Sequence, residues 1–371
     1  MATVARAAVL TGLDLPLTIR DDVVVEPPRT GEVRIRVAAC GVCRSDLSMQ
    51  DGTLPIPMPA VLGHEASAVV EEVGDGVTDL APGDHVVVSW VPQCGDCFFC
   101  RRGQPHLCQV ADVVLLAGGL LDGTPRLRLD GAPLFQMSGA GTFSDETVIP
   151  ACAAVKIPDD VPLDVAALLG CAVLTGVGAA LNTATIQQGD TIAVVGCGGV
   201  GLNIIQGARI AGAEAIIAID VLPAKLATAQ AFGATHAVDA SQVDPANAVR
   251  DLTGQRGADV AFEALGHGRT IEQTVAMTRR GGQAILVGIP RLDVMLTLPA
   301  MLGIVLQERT IKGCWYGSSD IRRDVPRLVE FYRDGRLELD ELVSRRIGLS
   351  EVNQALEAMK AGEVARSVIV Y

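Results

Sequence analysis

The chain carries no excess of positive charge: 30 Lys and Arg stand against 43 Asp and Glu in 371 residues, for a formal net charge of −13 and a pI near 4.8. Nucleic acid and anionic membrane surfaces are thereby excluded as main partners, since both would repel it at long range. An uninterrupted apolar run of membrane-spanning length is also missing. The nearest, Val165 to Leu181, holds Cys171, Thr175 and three glycines and runs into Asn182, Thr183 and Gln187, the composition of a buried helix and its ends. The first residues carry one basic side chain, Arg6, and break at Gly12 and Asp14 before a signal-peptide core forms, so a cytoplasmic location is expected. No repeat of fixed period and no low-complexity segment occurs. Histidine is scarce, five in all, and His85, His106, His236 and His267 have no evident ligand partners in the sequence. With 49% hydrophobic residues, 20% charged and 40 glycines, the chain suits an intracellular enzyme of about two domains.

Cysteine, by contrast, is clustered. Cys94, Cys97, Cys100 and Cys108 fall within fifteen residues, a spacing that closes a tetrahedral Zn²⁺ shell with no position left open. A closed shell is structural, not catalytic. Two disulfides are the alternative, disfavoured because Cys-x-x-Cys steps are too tight for easy mutual bridging and no export signal accompanies them.

Up to about Pro150 the sequence reads as short β-rich segments, such as Val33 to Ala38, Ala68 to Val73 and His85 to Val88, punctuated by turns like Pro82-Gly83-Asp84. From about Val173 apolar strands alternate with Ala-rich helices: Thr191 to Val195, Gly201 to Ala211, Ala215 to Asp220, Pro223 to Phe232, then strands Val260 to Glu263 and Ala284 to Val287. That rhythm predicts βαβ units and a parallel sheet. From about Cys314 the pattern is mixed again and ends in a strand, Ser367 to Tyr371, expected to fold back onto the first domain.

Gly196, Gly198 and Gly201, in the turn Gly-Cys-Gly-Gly-Val-Gly, directly follow a buried strand and precede a helix, the context a dinucleotide-binding turn requires. A side chain there would block the pyrophosphate from the backbone, and the helix N-terminus offers free N–H groups. Asp220 ends the next strand about twenty residues on, where a carboxylate accepts from the adenosine ribose hydroxyls and repels a 2′-phosphate. NAD is therefore expected over NADP; the blander reading of Asp220 is a turn cap.

Three further candidates, Cys43, His64 and Cys171, stand far apart in the chain. Spacing alone leaves a metal site and incidental buried cysteines equally open. With the runs Gly-Val-Cys-Arg-Ser-Asp at 41–46, Gly-His-Glu at 63–65, the four-cysteine lobe, Leu-Gly-Cys followed by Thr175-Gly176, and the glycine turn with Asp220, the sequence resembles the zinc-dependent alcohol dehydrogenases of the medium-chain dehydrogenase/reductase superfamily, liver-type branch, over essentially its whole length.

The resemblance implies a mixed α/β fold with a GroES-like irregular β catalytic domain over residues 1–172, its zinc lobe at about 93–109, a Rossmann NAD-binding domain over 173–313, and a segment 314–371 returning to the catalytic domain. It implies two zincs per subunit, with Cys43, His64 and Cys171 holding the catalytic one and leaving a position for water or the substrate oxygen. Glu65 matches an acid that approaches the metal during ligand exchange, and Asp46 the carboxylate that orients the ligand histidine. By the same likeness Ser45 takes up the alcohol proton, Thr175 and Val200 pack around the nicotinamide, Gly199 belongs to the phosphate turn, Arg44 and Arg366 hold the pyrophosphate, and Lys225 the adenosine ribose. The expected reaction is reversible oxidation of an alcohol to a carbonyl with hydride transfer to NAD.

Ser48 departs from the pattern, standing where the liver-type relay ends in a histidine; a serine cannot take up a proton near pH 7 as a histidine does. The long stretch from Gln109 to Met137 resembles the insertion of dimeric members, so a homodimer is expected. Aligned pocket positions are Trp90, Leu54, Val113, Met137 and Ile289, an apolar set suited to an alkyl, allylic or aromatic alcohol. The alternative is oxidation of a formaldehyde–thiol adduct, disfavoured by Asp112 at a rim where an anionic thiol wants a basic group. A noncatalytic nucleotide-binding relative would have no evident need for the open triad. Cys40, Cys152, Cys197 and Cys314 read as buried or incidental.

Overall fold

The computed structural model describes residues 1–363 and 366–371. The chain forms two compact units, Met1–Ala172 with Asp320–Tyr371, and Val173–Ser319.

The first unit is built on two sheets. A closed barrel runs β1 (Thr3–Leu10), β2 (Thr18–Val25), β7 (Leu127–Leu129), β8 (Ala132–Gln136) and β4 (Ala60–Val61). A seven-stranded sheet runs β10 (Ala154–Lys156), β6 (His85–Val88), β5 (Glu65–Val73), β3 (Glu32–Gly41), β18 (Ser367–Val370) and β17 (Arg345–Ile347), with β9 (Glu146–Pro150) also on β3. Val33, Ile35 and Val37 alternate along β3 and join Leu10, Val61, Leu62 and Phe143 in one apolar core. Period-2 alternation is what lets a strand bury one face.

β3 and β5 are antiparallel with Gly41 opposite Glu65, so the chain leaving β3 and the chain entering β5 meet at one sheet end. β18 lies antiparallel on the other side of β3, with Val368 opposite Gly41. Three sequence-distant segments thus converge there.

The second unit is a parallel six-stranded sheet in the order β13 (His236–Asp239), β12 (Ala215–Asp220), β11 (Thr191–Val195), β14 (Ala258–Glu263), β15 (Thr278–Leu286) and β16 (Thr310–Gly313). β11, β12 and β14 are buried almost throughout, as central strands covered on both faces must be. Strand order reverses between β11 and β14, the position at which open α/β sheets bind ligands beyond their carboxyl ends.

Residues 314–319 were expected to start the return to the first unit; instead they stay with the second. Cys314 N–H donates to the Leu286 carbonyl, and the Thr183 hydroxyl lies 3.2 Å from the Cys314 sulfur, so the return begins at Asp320. Among the described residues no single helix is long and apolar enough to cross a membrane, and the apolar stretch around Cys171 is broken at that residue.

Candidate metal and dinucleotide sites

Cys43 follows β3 and His64 precedes β5, so the β3–β5 register brings them together. Cys171 arrives through Gly170, which packs so tightly that an added β-carbon would lie 2.5 Å from the Val88 carbonyl oxygen. Glu65 then anchors the following residue, accepting the Ala172 N–H at 3.1 Å. The result is a buried triad whose ligand atoms all lie within 4.8 Å of one another.

Its geometry suits zinc. Two sulfurs each about 2.3 Å from one tetrahedral ion stand roughly 3.8 Å apart, and those of Cys43 and Cys171 are 4.0 Å apart. Asp46 is fully buried and organises the ligands: it accepts the N–H groups of Cys43 at 2.7 Å and Gly63 at 3.0 Å, and its Oδ1 lies 3.2 Å from His64 Nδ1. Holding Nδ1 leaves Nε2 for the metal. The Cys171 thiol beside it, with Arg366 and His64 nearby, holds Cys43 well below the usual thiol range, toward the thiolate a metal requires.

Behind the triad, Arg366 Nε stands 3.6 Å from Glu65 Oε2, both groups buried and neither atom hydrogen-bonded among the described residues. Burial pushes the Glu65 carboxyl up to about 7 despite the guanidinium. Arg366 also donates to the Val42 carbonyl at 3.4 Å, so it is packed under the triad. Ser45 is half-buried with its oxygen 4.0 Å from the Cys43 sulfur, and Ser48 sits half-buried one turn on along the same short helix. Arg44 is exposed.

Trp90 sets its ring edge-on to His64 with centroids 6.4 Å apart. Leu54 is half-buried, while Val113 and Asp112 are exposed on the helix Gln109–Ala117. Met137 is 1% exposed, in the tight turn Met137–Gly139, and belongs to the apolar core of its unit, against which Leu54 also packs. Ile289, in the second unit, is exposed on the loop after β15.

The lobe gathers its four sulfurs within 4.8 Å as well. Backbone N–H groups of Cys94 and Cys97 donate to the sulfurs of Cys108 at 3.3 Å and Cys94 at 3.4 Å. N–H groups of Cys100 and Gln109 bring the Cys97 thiol down to about 6. Four converging sulfurs with amide donors fit a closed zinc shell.

In the second unit, Gly196 has φ +95°, and a β-carbon on Gly201 would lie 1.8 Å from the Gly196 carbonyl oxygen. Gly198 caps the helix Gly199–Ala211 and faces open space, so a pyrophosphate meets only backbone there. Asp220 is buried and accepts three backbone N–H groups, from Cys197 at 2.9 Å, Val221 at 2.8 Å and Leu222 at 3.1 Å. A carboxylate has about four acceptor sites, which leaves room for a ribose hydroxyl. Thr175, Val200 and Lys225 are half-buried. Two residues were not singled out in the sequence: Gly63, whose φ of +87° aims its N–H at Asp46, and Glu263, an acid ending an apolar strand as Asp220 does. That shared strand-end position was the available signal.

Residues 29–159 match the alcohol dehydrogenase GroES-like domain family, and residues 199–334 the zinc-binding dehydrogenase family. An S-(hydroxymethyl)glutathione dehydrogenase of Paracoccus denitrificans is 37% identical over 378 residues, covering 99% of each chain. A class-3 alcohol dehydrogenase of Cereibacter sphaeroides is 38% identical with the same coverage. Among solved structures, benzyl alcohol dehydrogenase from Acinetobacter calcoaceticus superposes with a TM-score of 0.94 at 30% identity, covering 99% of each chain.

Proposed function

The chain belongs to the zinc-dependent alcohol dehydrogenases of the medium-chain dehydrogenase/reductase superfamily, and on that footing we propose that its substrate is the hydroxymethyl adduct of a low-molecular-weight thiol, R–S–CH₂OH, oxidised to R–S–CHO. The observation carrying this reading is that full-length relatives bear the names S-(hydroxymethyl)glutathione dehydrogenase and class-3 alcohol dehydrogenase. It reverses the order of preference drawn from the sequence.

Cys43, His64 and Cys171 would hold one zinc and the four-cysteine lobe a second. When bound, zinc supplies a Lewis acid that eases loss of the alcohol proton, and NAD the acceptor for the carbinol hydride. Asp46 keeps His64 in one tautomer and orientation. Ser45 takes the hydroxyl proton, which passes to solvent without a histidine at Ser48. The C–H pair leaves as hydride, and the products are the thioester, NADH and one proton.

A second reading, an apolar primary alcohol, is supported by the Trp90 ring against His64 and by Asp112 exposed on its helix. One assay separates the two: NADH formation from formaldehyde with and without a panel of thiols, beside benzyl alcohol and hexanol. Formaldehyde turnover that requires a thiol, with kcat/KM above those of the free alcohols, is the expected result. Free alcohols turned over faster, with no effect of thiol, would establish the second reading instead.

We also propose a homodimer formed through the second unit. Leu292 and Met295 are each 87% exposed, and Met301, Leu302 and Val305 between 66% and 69%, all in the segment that joins β15 to β16, and β16 ends the sheet. Exposed apolar side chains and a free strand edge in one unit suit pairing with a second copy. All ten cysteines are free, which suits a reducing, cytoplasmic compartment.

A further inference from the structure

We propose that Glu263 is a positioning residue for the nicotinamide half of NAD. It ends β14 directly opposite Val195, the last residue of β11, and so stands at the point where strand order reverses. Asp220 ends β12 on the other side of β11. A dinucleotide laid across the carboxyl ends with its adenosine ribose at Asp220 extends its other half over β14 and β15.

The Glu263 side chain is fully buried and collects the turn that follows it. Oε1 accepts the N–H groups of Leu265 at 3.1 Å and Gly266 at 2.9 Å and the Thr270 hydroxyl at 2.6 Å, while Oε2 accepts the Gly266 N–H at 3.0 Å. Among the described residues no cation lies within ion-pair distance of it, so hydrogen bonds alone compensate the buried carboxylate. An apolar side chain would avoid that cost but could not hold the turn.

What the turn touches gives the arrangement its purpose. A β-carbon on Gly196, the first glycine of the phosphate motif, would lie 2.6 Å from Leu265 Cγ. One on Gly266, where φ is +82°, would lie 2.3 Å from the Ile289 carbonyl oxygen, and one on Gly288 would lie 2.2 Å from the Gly266 nitrogen and 2.7 Å from Glu263 Oε2. The exits of β11, β14 and β15 are therefore locked to one another around a single carboxylate. Loosening it displaces Leu265 and Ile289 together while leaving Asp220 and its three N–H partners intact.

The test uses the full-length, zinc-loaded chain as Glu263→Gln and Thr270→Val. NADH is titrated by its fluorescence, and AMP, which carries only the adenosine half, by calorimetry. Glu263→Gln turns one acceptor into a donor facing the Gly266 N–H and should weaken NADH about tenfold, with AMP affinity held within about twofold. Thr270→Val removes a single donor and should weaken NADH about threefold, again sparing AMP; it decides the matter if Glu263→Gln does not fold. Unchanged NADH affinity in the folded variants would overturn the proposal. So would a parallel loss of AMP and NADH affinity, which marks general loosening of the unit.

Discussion

Ser48 is where a single side chain has the clearest kinetic consequence. If the proton leaves Ser45 without a titratable group behind it, Ser48→His should raise alcohol oxidation at pH 7 relative to pH 9, because imidazole accepts a proton near neutrality. An unchanged ratio of the two rates would sink the relay argument. Cys43→Ser should lower zinc from two per chain to about one by elemental analysis, with activity lost, since the closed lobe shares no ligand with the triad. Cys197 sits inside the phosphate turn, yet burial, and then the neighbouring Asp220, push its thiol up to about 12. It is therefore neutral at pH 8 and should escape iodoacetamide, as peptide mapping by mass spectrometry would read.

Elements show what sequence periodicity carried and what it could not. β11, β12 and β14 were legible as apolar runs because both faces are covered, and the glycine turn was legible because steric need fixes its residues. The exposed β16, with no alternation in Thr-Ile-Lys-Gly, was not, nor was the barrel to which β1 and β2 belong. Cys43, His64 and Cys171 stand out by residue type, but only the resemblance joins them into one ligand set, because the β3–β5 register that unites the first two is a tertiary fact. Gly170 offers a test at this scale. Gly170→Ala forces a methyl against the Val88 carbonyl oxygen, and should cost ~1–3 kcal/mol of stability while displacing Cys171. Zinc should fall toward one per chain with the lobe still loaded.

For the whole molecule, the exposed apolar segment between β15 and β16 predicts association. Leu302→Glu combined with Val305→Glu should shift the chain from dimer to monomer by light scattering, and a wild type that is monomeric at micromolar concentration would refute the interface. Topology has a further consequence in time. β18, near the last residue, lies between β3 and β17, and Arg366 just before it backs the metal triad. During synthesis the four-cysteine lobe and the whole parallel sheet emerge before that strand does, and domains fold as they emerge. The nascent chain can therefore fill its lobe before β18 emerges, whereas the backing of the catalytic triad is complete only once β18 is in place between β3 and β17. Birth order thus separates the two metals.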